Sequence, residues 1–157
     1  MSGVGQVLTL GVGTATYAVP VTSVQEILDL RPITVLPDAP MHLIGVIDVR
    51  GEGVAVMDLA TLLGAVGGGE SAGTRIVVLR LTVAGTAVVL GLKADRVYEV
   101  TELDGGKVDP LPESQLLKWN SRFVAGLGRR HGAFVALLDL DRMFAGDTAG
   151  HVFDLAA

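Results

Sequence analysis

Val24-Gln25-Glu26-Ile27 follows an apolar hairpin near the N-terminus, and Val97-Tyr98-Glu99-Val100 follows a similar hairpin 73 positions later. Working outward, Gly45-Val46 precedes a hairpin that ends in Met57-Asp58-Leu59. Gly126-Leu127 precedes one that ends in Leu138-Asp139-Leu140, 81 positions on. The longer second spacing places an insertion between Val100 and Gly126. Repetition at this period marks a duplicated unit, each half reading strand, strand, short helix or turn, strand, strand, short helix. The 157 residues then divide into two small β-barrels packed together, a first over 1–66 and a second over 74–157, joined by a flexible Gly-rich loop at 67–73, within one domain spanning 1–157. A unit of about 70 residues buries only about 60% of its unfolded surface and is marginal alone. The halves are therefore expected to share an apolar interface.

The fold class is all-β with a few short helices. Runs rich in β-branched residues recur between Gly and Pro punctuation: Val7 to Val12, Ala15 to Val21, Leu43 to Val49, Val54 to Met57, Arg75 to Val83, Ala87 to Leu92, Arg96 to Val100, Phe123 to Leu127 and Ala133 to Leu138. Short strands at this spacing suit a barrel or sandwich. Gly11-Val12-Gly13, Gly51-Glu52-Gly53, Ala84-Gly85 and Arg129 to Gly132 read as hairpin turns, where glycine supplies a positive φ. Thr22 and Gln25 resemble a capping box opening a turn or two of helix through Val24, Ile27 and Leu28. Asp58 is placed to cap Leu59 to Leu63, and Asp139 or Asp141 to cap Leu140 to Phe144, with Gly64 and Gly146 behind them.

Composition excludes several classes. Half of the chain is hydrophobic and only 18% charged, yet the longest apolar runs hold about six residues, far short of a membrane-spanning helix. A net charge of −5 without a Lys/Arg cluster argues against nucleic acid or an anionic membrane surface. The absence of cysteine removes disulfides, thiolate metal sites and cysteine nucleophiles. Met1 to Thr9 lacks the pattern of a secretory signal, so a cytoplasmic location is expected. His42, His131 and His151 have no metal-ligand spacing, and no serine stands in a nucleophile elbow. Gly126-Leu127-Gly128 with Gly132 leads into a strand, where a dinucleotide fingerprint needs a helix. Asp48, Glu52 and Asp58 are close in sequence, but Trp119 alone is a thin sugar platform for paired-carboxylate hydrolysis. No catalytic residue, cofactor or metal is indicated.

What stands out is Gly45-Val46-Ile47-Asp48-Val49-Arg50-Gly51. Read as a strand, it sets Asp48 and Arg50 on one face and Ile47 and Val49 on the other. The segment reads either as a solvated strand end before a turn or as a polar recognition strip beside an apolar one.

These residues resemble the CheW family of chemotaxis coupling proteins. Tyr17-Ala18-Val19-Pro20-Val21 with Val24-Gln25-Glu26-Ile27 is similar to the family's opening. Ile44 to Gly51 with Val56-Met57-Asp58-Leu59 resembles its Gly-Val-x-Asn-Leu-Arg-Gly signature and Asp-Leu ending. Ala94 to Val100, Phe123 to Gly128 and Leu137 to Asp141 follow in the family's order, so the likeness runs from about residue 5 to 146.

The resemblance implies two SH3-like five-stranded barrels and a non-enzymatic adaptor. Its partners would be the cytoplasmic tip of chemoreceptors and the regulatory domain of a CheA-type histidine kinase, at a cytoplasmic array, and CheW–CheW ring contacts are compatible with it. It places Val24, Ile27 and Val97 in a receptor-binding groove between the barrels, although each also reads as a core residue. Glu26, Gly45, Asp48, Arg50 and Gly51 would form the adaptor signature and its kinase or receptor contacts, with Glu26 and Arg50 paired across the barrel surface; Gly45 and Gly51 also read simply as turn glycines. Asp48 stands where the family usually has Asn, Val49 where it has Leu, Ala55 where Pro is frequent and Ala94 where Val is frequent. The alternative is a regulatory or ligand-binding module on the same paired barrels, recruited outside chemotaxis.

Overall fold

The nine β-branched runs become strands, and a tenth strand joins them, in a computed structural model that describes residues 5–110 and 123–144. They are β1 (Gln6–Val12), β2 (Ala15–Pro20), β3 (Val24–Asp29), β4 (Leu43–Val49), β5 (Glu52–Asp58), β6 (Arg75–Val83), β7 (Thr86–Ala94), β8 (Arg96–Glu102), β9 (Val124–Arg130) and β10 (Ala133–Leu138). Helix α1 (Leu59–Leu63) follows β5, and α2 (Leu140–Met143) follows β10. The helix expected through Val24, Ile27 and Leu28 is instead a single 3-10 turn, Val21–Ser23, and then β3. Pairing with the edge of β6 gives these side chains a ladder that an isolated short helix could not match. Asp139 caps α2 by accepting from the Arg142 N–H at 3.1 Å. Asp58, by contrast, offers α1 no side-chain bond; its carbonyl accepts from the Thr61 hydroxyl. Gly64 closes α1 in the left-handed conformation expected of it. Gly146, Trp119 and His151 lie outside the described residues.

Two five-stranded sheets result, ordered β3-β6-β7-β5-β4 and β8-β1-β2-β10-β9. Substituting each strand of one half by its counterpart in the other converts the first order into the second. The duplication read from the sequence is therefore an exact topological repeat, down to one parallel pairing per sheet, β5 with β7 and β10 with β2. The boundary expected at 67–73, however, does not separate the sheets. Each half lends its leading hairpin to the other: β1–β2 joins the second half's strands, and β6–β7 joins the first half's.

That exchange buries the hairpins on both faces. Val77, Leu79 and Leu81 of β6 enter a large core with Leu8, Leu10 and Val12 of β1, Leu59 and Leu62 of α1, and Leu140, Met143 and Phe144 at α2. Ile76 and Val78 point the other way, into a small core with Ile47, Val49, Val54 and Val56. Val7, Ala18, Leu103, Val135 and Leu137 form the matching small core of the second sheet. The largest apolar cluster is thus the seam between the sheets, and strands buried on both faces lose polar alternation. This accounts for the positive mean hydropathy of +0.53 in a chain without a long apolar run.

The Gly-rich stretch, expected as a flexible loop, is bonded along its length. The Gly68 N–H reaches Asp95, Glu70 meets Lys93 at 2.7 Å, and Ser71 and Thr74 bond to each other.

Candidate functional site

The site begins with a bulge that both halves share. From Val24 to Ile27, three steps on β3 are matched by two on β6, Leu79 to Val77. From Val97 to Val100, three steps on β8 are matched by two on β1, Leu10 to Leu8. A bulge of this kind leaves one residue unpaired. Burial still alternates through both bulges, so Glu26 shares the half-buried face of β3 with Val24 and Glu99 that of β8 with Val97, and each glutamate reaches the turn of another hairpin in its own sheet.

Those turns are equivalent too. Arg50 and Gly51 join β4 to β5 with φ of 53° and 86°, and His131 and Gly132 join β9 to β10 with φ of 53° and 84°. Two successive positive φ values make the tight turn that suits strand twist. Arg50 therefore sits in the turn rather than on the strand with Asp48, and the turn lies one residue earlier than Gly51-Glu52-Gly53. Both guanidinium Nη atoms of Arg50 donate to the two carboxylate oxygens of Glu26, one at 3.0 Å. In the second half, His131 Nε2 lies 3.1 Å from Glu99 Oε2, and Arg130 Nε donates to the same oxygen at 2.6 Å.

These partners set the electrostatics. The hydrogen bond from Arg50, aided by its charge, holds the Glu26 carboxyl below the usual range, and partial burial opposes it. Glu99 is held low in the same way, first by Arg130 and then by His131. Asp104 is also lowered, mainly by the Gly132 N–H it accepts.

Turn and strand glycines divide into two kinds. Gly51 has open space around it and is required by its φ. Gly45 has no such φ; a Cβ there would overlap the Thr34 carbonyl, where Thr34 and Val46 bridge through two hydrogen bonds of 2.9 Å. The turn-geometry reading therefore fits Gly51 and not Gly45. Gly126 repeats the arrangement against Asp109, which bridges to Leu127. Asp48 is exposed, beside buried Ile47 and Val49 as expected, and its Oδ1 accepts the Gly51 N–H at 2.7 Å. It closes the turn that presents Arg50.

Val24 and Val97 stand at equivalent positions of β3 and β8, half-buried, and both pack against the seam core. Ile27 does not join them; it is 42% exposed. Two clefts, of about 380 and 500 Å³, lie elsewhere, at Lys107–Arg129–Phe134 and at Arg31–Ile33–Val35, and neither is lined by these three residues. Among the described residues no cluster of His, Asp or Glu could hold a metal ion, and no helix is long and apolar enough to cross a membrane.

Sequence reasoning missed Glu99, Arg130 and His131 as a second copy of the Glu26–Arg50 pair. The repeat offsets could have found it, since Gly132 aligns with Gly51. It also missed Thr9, fully buried, whose hydroxyl donates to the Glu99 carbonyl at 3.0 Å and accepts its N–H at 3.3 Å. One side chain thus satisfies the backbone that the second bulge leaves over.

Comparison with known proteins agrees with this architecture. The family model for the CheW-like domain matches residues 6–147. A probable chemotaxis protein CheW of Rhizobium etli is 27% identical over 142 residues, covering 89% of this chain and 87% of its own. A chemotaxis protein CheW of Helicobacter pylori is 25% identical over 136 residues, covering 87% and 79%. The crystal structure of the scaffolding protein TtCheW from Thermoanaerobacter tengcongensis superposes with a TM-score of 0.75 at 24% identity, covering 94% of this chain and 96% of that one. The fold is the pair of SH3-like barrels that the resemblance implied.

Proposed function

The chain belongs to the CheW-like family, and on that premise we propose that it is a non-enzymatic adaptor coupling a chemoreceptor's cytoplasmic tip to the regulatory domain of a CheA-type histidine kinase. Its place would be the cytoplasmic face of a receptor array. The observation that carries this reading is the pairing of Val24 and Val97: equivalent, half-buried apolar side chains from two sheets, set on one seam core. An apolar helix face laid along such a seam would gain burial from both barrels at once. Glu26, two residues from Val24 on β3, and Arg50, in the β4–β5 turn, form a bidentate pair that would give that seam a polar border.

The test is direct binding. Folded protein is mixed separately with a kinase regulatory domain and a receptor cytoplasmic fragment from the same organism, and association is measured by calorimetry. Saturable binding of both partners is expected. Failure to bind either would remove the adaptor reading and favour a module recruited to another task.

A further inference from the structure

Asp95 lies between β7 and β8, where the chain passes from one sheet to the other for the second time. A single carboxylate oxygen, Oδ2, accepts the N–H of Gly13 in the β1–β2 turn at 2.7 Å and the N–H of Gly68 in the connection between the halves at 2.6 Å. Arg96, the next residue, donates Nη2 to the Gly13 carbonyl at 2.6 Å and Nε to the Tyr98 hydroxyl at 2.9 Å. Gly13 is therefore gripped at both its N–H and its C=O by two consecutive residues. The fit is close on the other side as well, since a Cβ at Gly13 would overlap the Val66 carbonyl and one at Gly68 would sit 3.1 Å from Asp95 Oδ2.

The repeat isolates what is special here. By the offset that relates Val24 to Val97, the counterpart of Asp95 is Thr22, in the 3-10 turn Val21–Ser23. Among the described residues, no bond from Thr22 to a distant segment parallels the two that Asp95 accepts. Among them the crossing into β8 carries the staple and the crossing into β3 does not, and Val97 is the second residue beyond it.

The geometry points to Asp95 as a positioning residue: it pins the connection between the halves and the β1–β2 turn to the start of β8, and so sets Val97 on the seam. The consequence for receptor binding rests on the adaptor reading above. The positioning itself does not. Because one oxygen takes both bonds, an amide oxygen suffices, so Asp95→Asn keeps the staple and Asp95→Ala removes it.

The test uses the full chain without a partner, by NMR. Asp95→Ala is expected to speed amide exchange at Gly13 and Gly68 at least about tenfold and to shift the Val97 methyl resonances, while Asp95→Asn leaves both near wild type. Unchanged exchange, unmoved Val97 methyls or an asparagine variant as altered as the alanine one would each overturn the assignment. If the alanine variant does not fold, Asp95→Ser is read the same way; unfolding of both would make Asp95 a requirement of the fold and overturn a positioning role. A second arm measures receptor-fragment binding, expected to weaken in Asp95→Ala and recover in Asp95→Asn. If the wild type binds no receptor fragment, the adaptor reading fails while the exchange and methyl data still decide the staple.

Discussion

His131 holds in the second half the position that Arg50 holds in the first: each opens a two-residue turn with φ of 53° and reaches a glutamate on a bulged strand, Glu99 or Glu26. The duplication has kept the acid and the turn and replaced the cation, with Arg130 supplying the permanent charge beside the imidazole.

Both glutamates have folded-state pKa values below their ordinary ones, which fixes a sign. The unfolded chain binds protons first as pH falls, so stability rises with pH across that window. The contribution is fully present above the ordinary glutamate pKa of about 4.3 and is lost as pH drops through the depressed folded values. Glu26→Gln and Glu99→Gln are therefore expected to lower the melting temperature slightly at pH 7, by an amount that shrinks as pH falls below the ordinary glutamate range. Thermal melts across that range check this; an equal loss at every pH would assign the effect to packing.

Asp48 accepts the Gly51 N–H through one carboxylate oxygen, and the asparagine that the resemblance would place there offers an equivalent amide oxygen. The turn needs a side-chain oxygen at this distance, and either residue has one. Asp48→Asn is expected to be neutral in stability and to leave the Glu26–Arg50 pair in place. Asp48→Ala is expected to cost about 0.5–1.5 kcal/mol, the usual net worth of one hydrogen bond. Urea midpoints distinguish the two outcomes.

Thr9 is a buried polar residue whose hydroxyl satisfies two backbone groups of Glu99. Thr9→Val has nearly the same shape but leaves those groups unpaired, at a cost of about 1–3 kcal/mol. Thr9→Ser keeps the hydroxyl and loses only a methyl, so it is expected to cost less. A valine variant as stable as wild type would show that water replaces the bond.

Gly45 and Gly51 separate close approach from turn conformation. Gly45→Ala forces the Thr34 segment off β4 and sacrifices two backbone hydrogen bonds, on the order of 2–3 kcal/mol with the accompanying strain. Gly51→Ala meets open space and bears only the positive φ, about 1 kcal/mol. Denaturant midpoints are expected in that order, and the reverse order would remove the crossing-strand explanation.

Nine of the ten strands and the repeat are legible because they rest on local pattern: β-branched runs, Gly-bearing turns and matched tetrapeptides. The Glu26–Arg50 pair joins residues 24 apart, and only the family resemblance points to it. β3 is hidden because Val24, Ile27 and Leu28 fit helical spacing: burial alternates along the strand, but Glu26 occupies the half-buried face and Ile27 the exposed one, so residue type does not follow the alternation. The hairpin exchange was illegible for a different reason. Swapping β1–β2 with β6–β7 keeps every local preference and changes only which sheet receives each hairpin. A hint did exist, since Ile76 to Leu79 is apolar without alternation, the mark of a strand buried on both faces. Asp95 lies inside the motif Ala94 to Val100, but its partners Gly13 and Gly68 are far away in sequence and have no side chains to advertise a bond.

The resemblance groups Val24, Ile27 and Val97 in one groove, and their different burial makes that grouping testable. Val24 and Val97 touch the seam core, so Val24→Asp or Val97→Asp is expected to weaken receptor-fragment binding at least tenfold, with some loss of stability from placing a charge beside apolar neighbours. Ile27 is 42% exposed, and Ile27→Asp is expected to leave the melting temperature within a few degrees of wild type. If Ile27 belongs to the receptor surface, its aspartate variant loses binding without losing stability, an outcome core disruption cannot mimic. If Ile27→Asp binds normally while the two valine variants fail only in proportion to their unfolding, all three positions are structural and the groove must be sought elsewhere. Kinase-domain binding in the same samples supplies the control: it is expected to persist in every folded variant, because the kinase would engage a different surface.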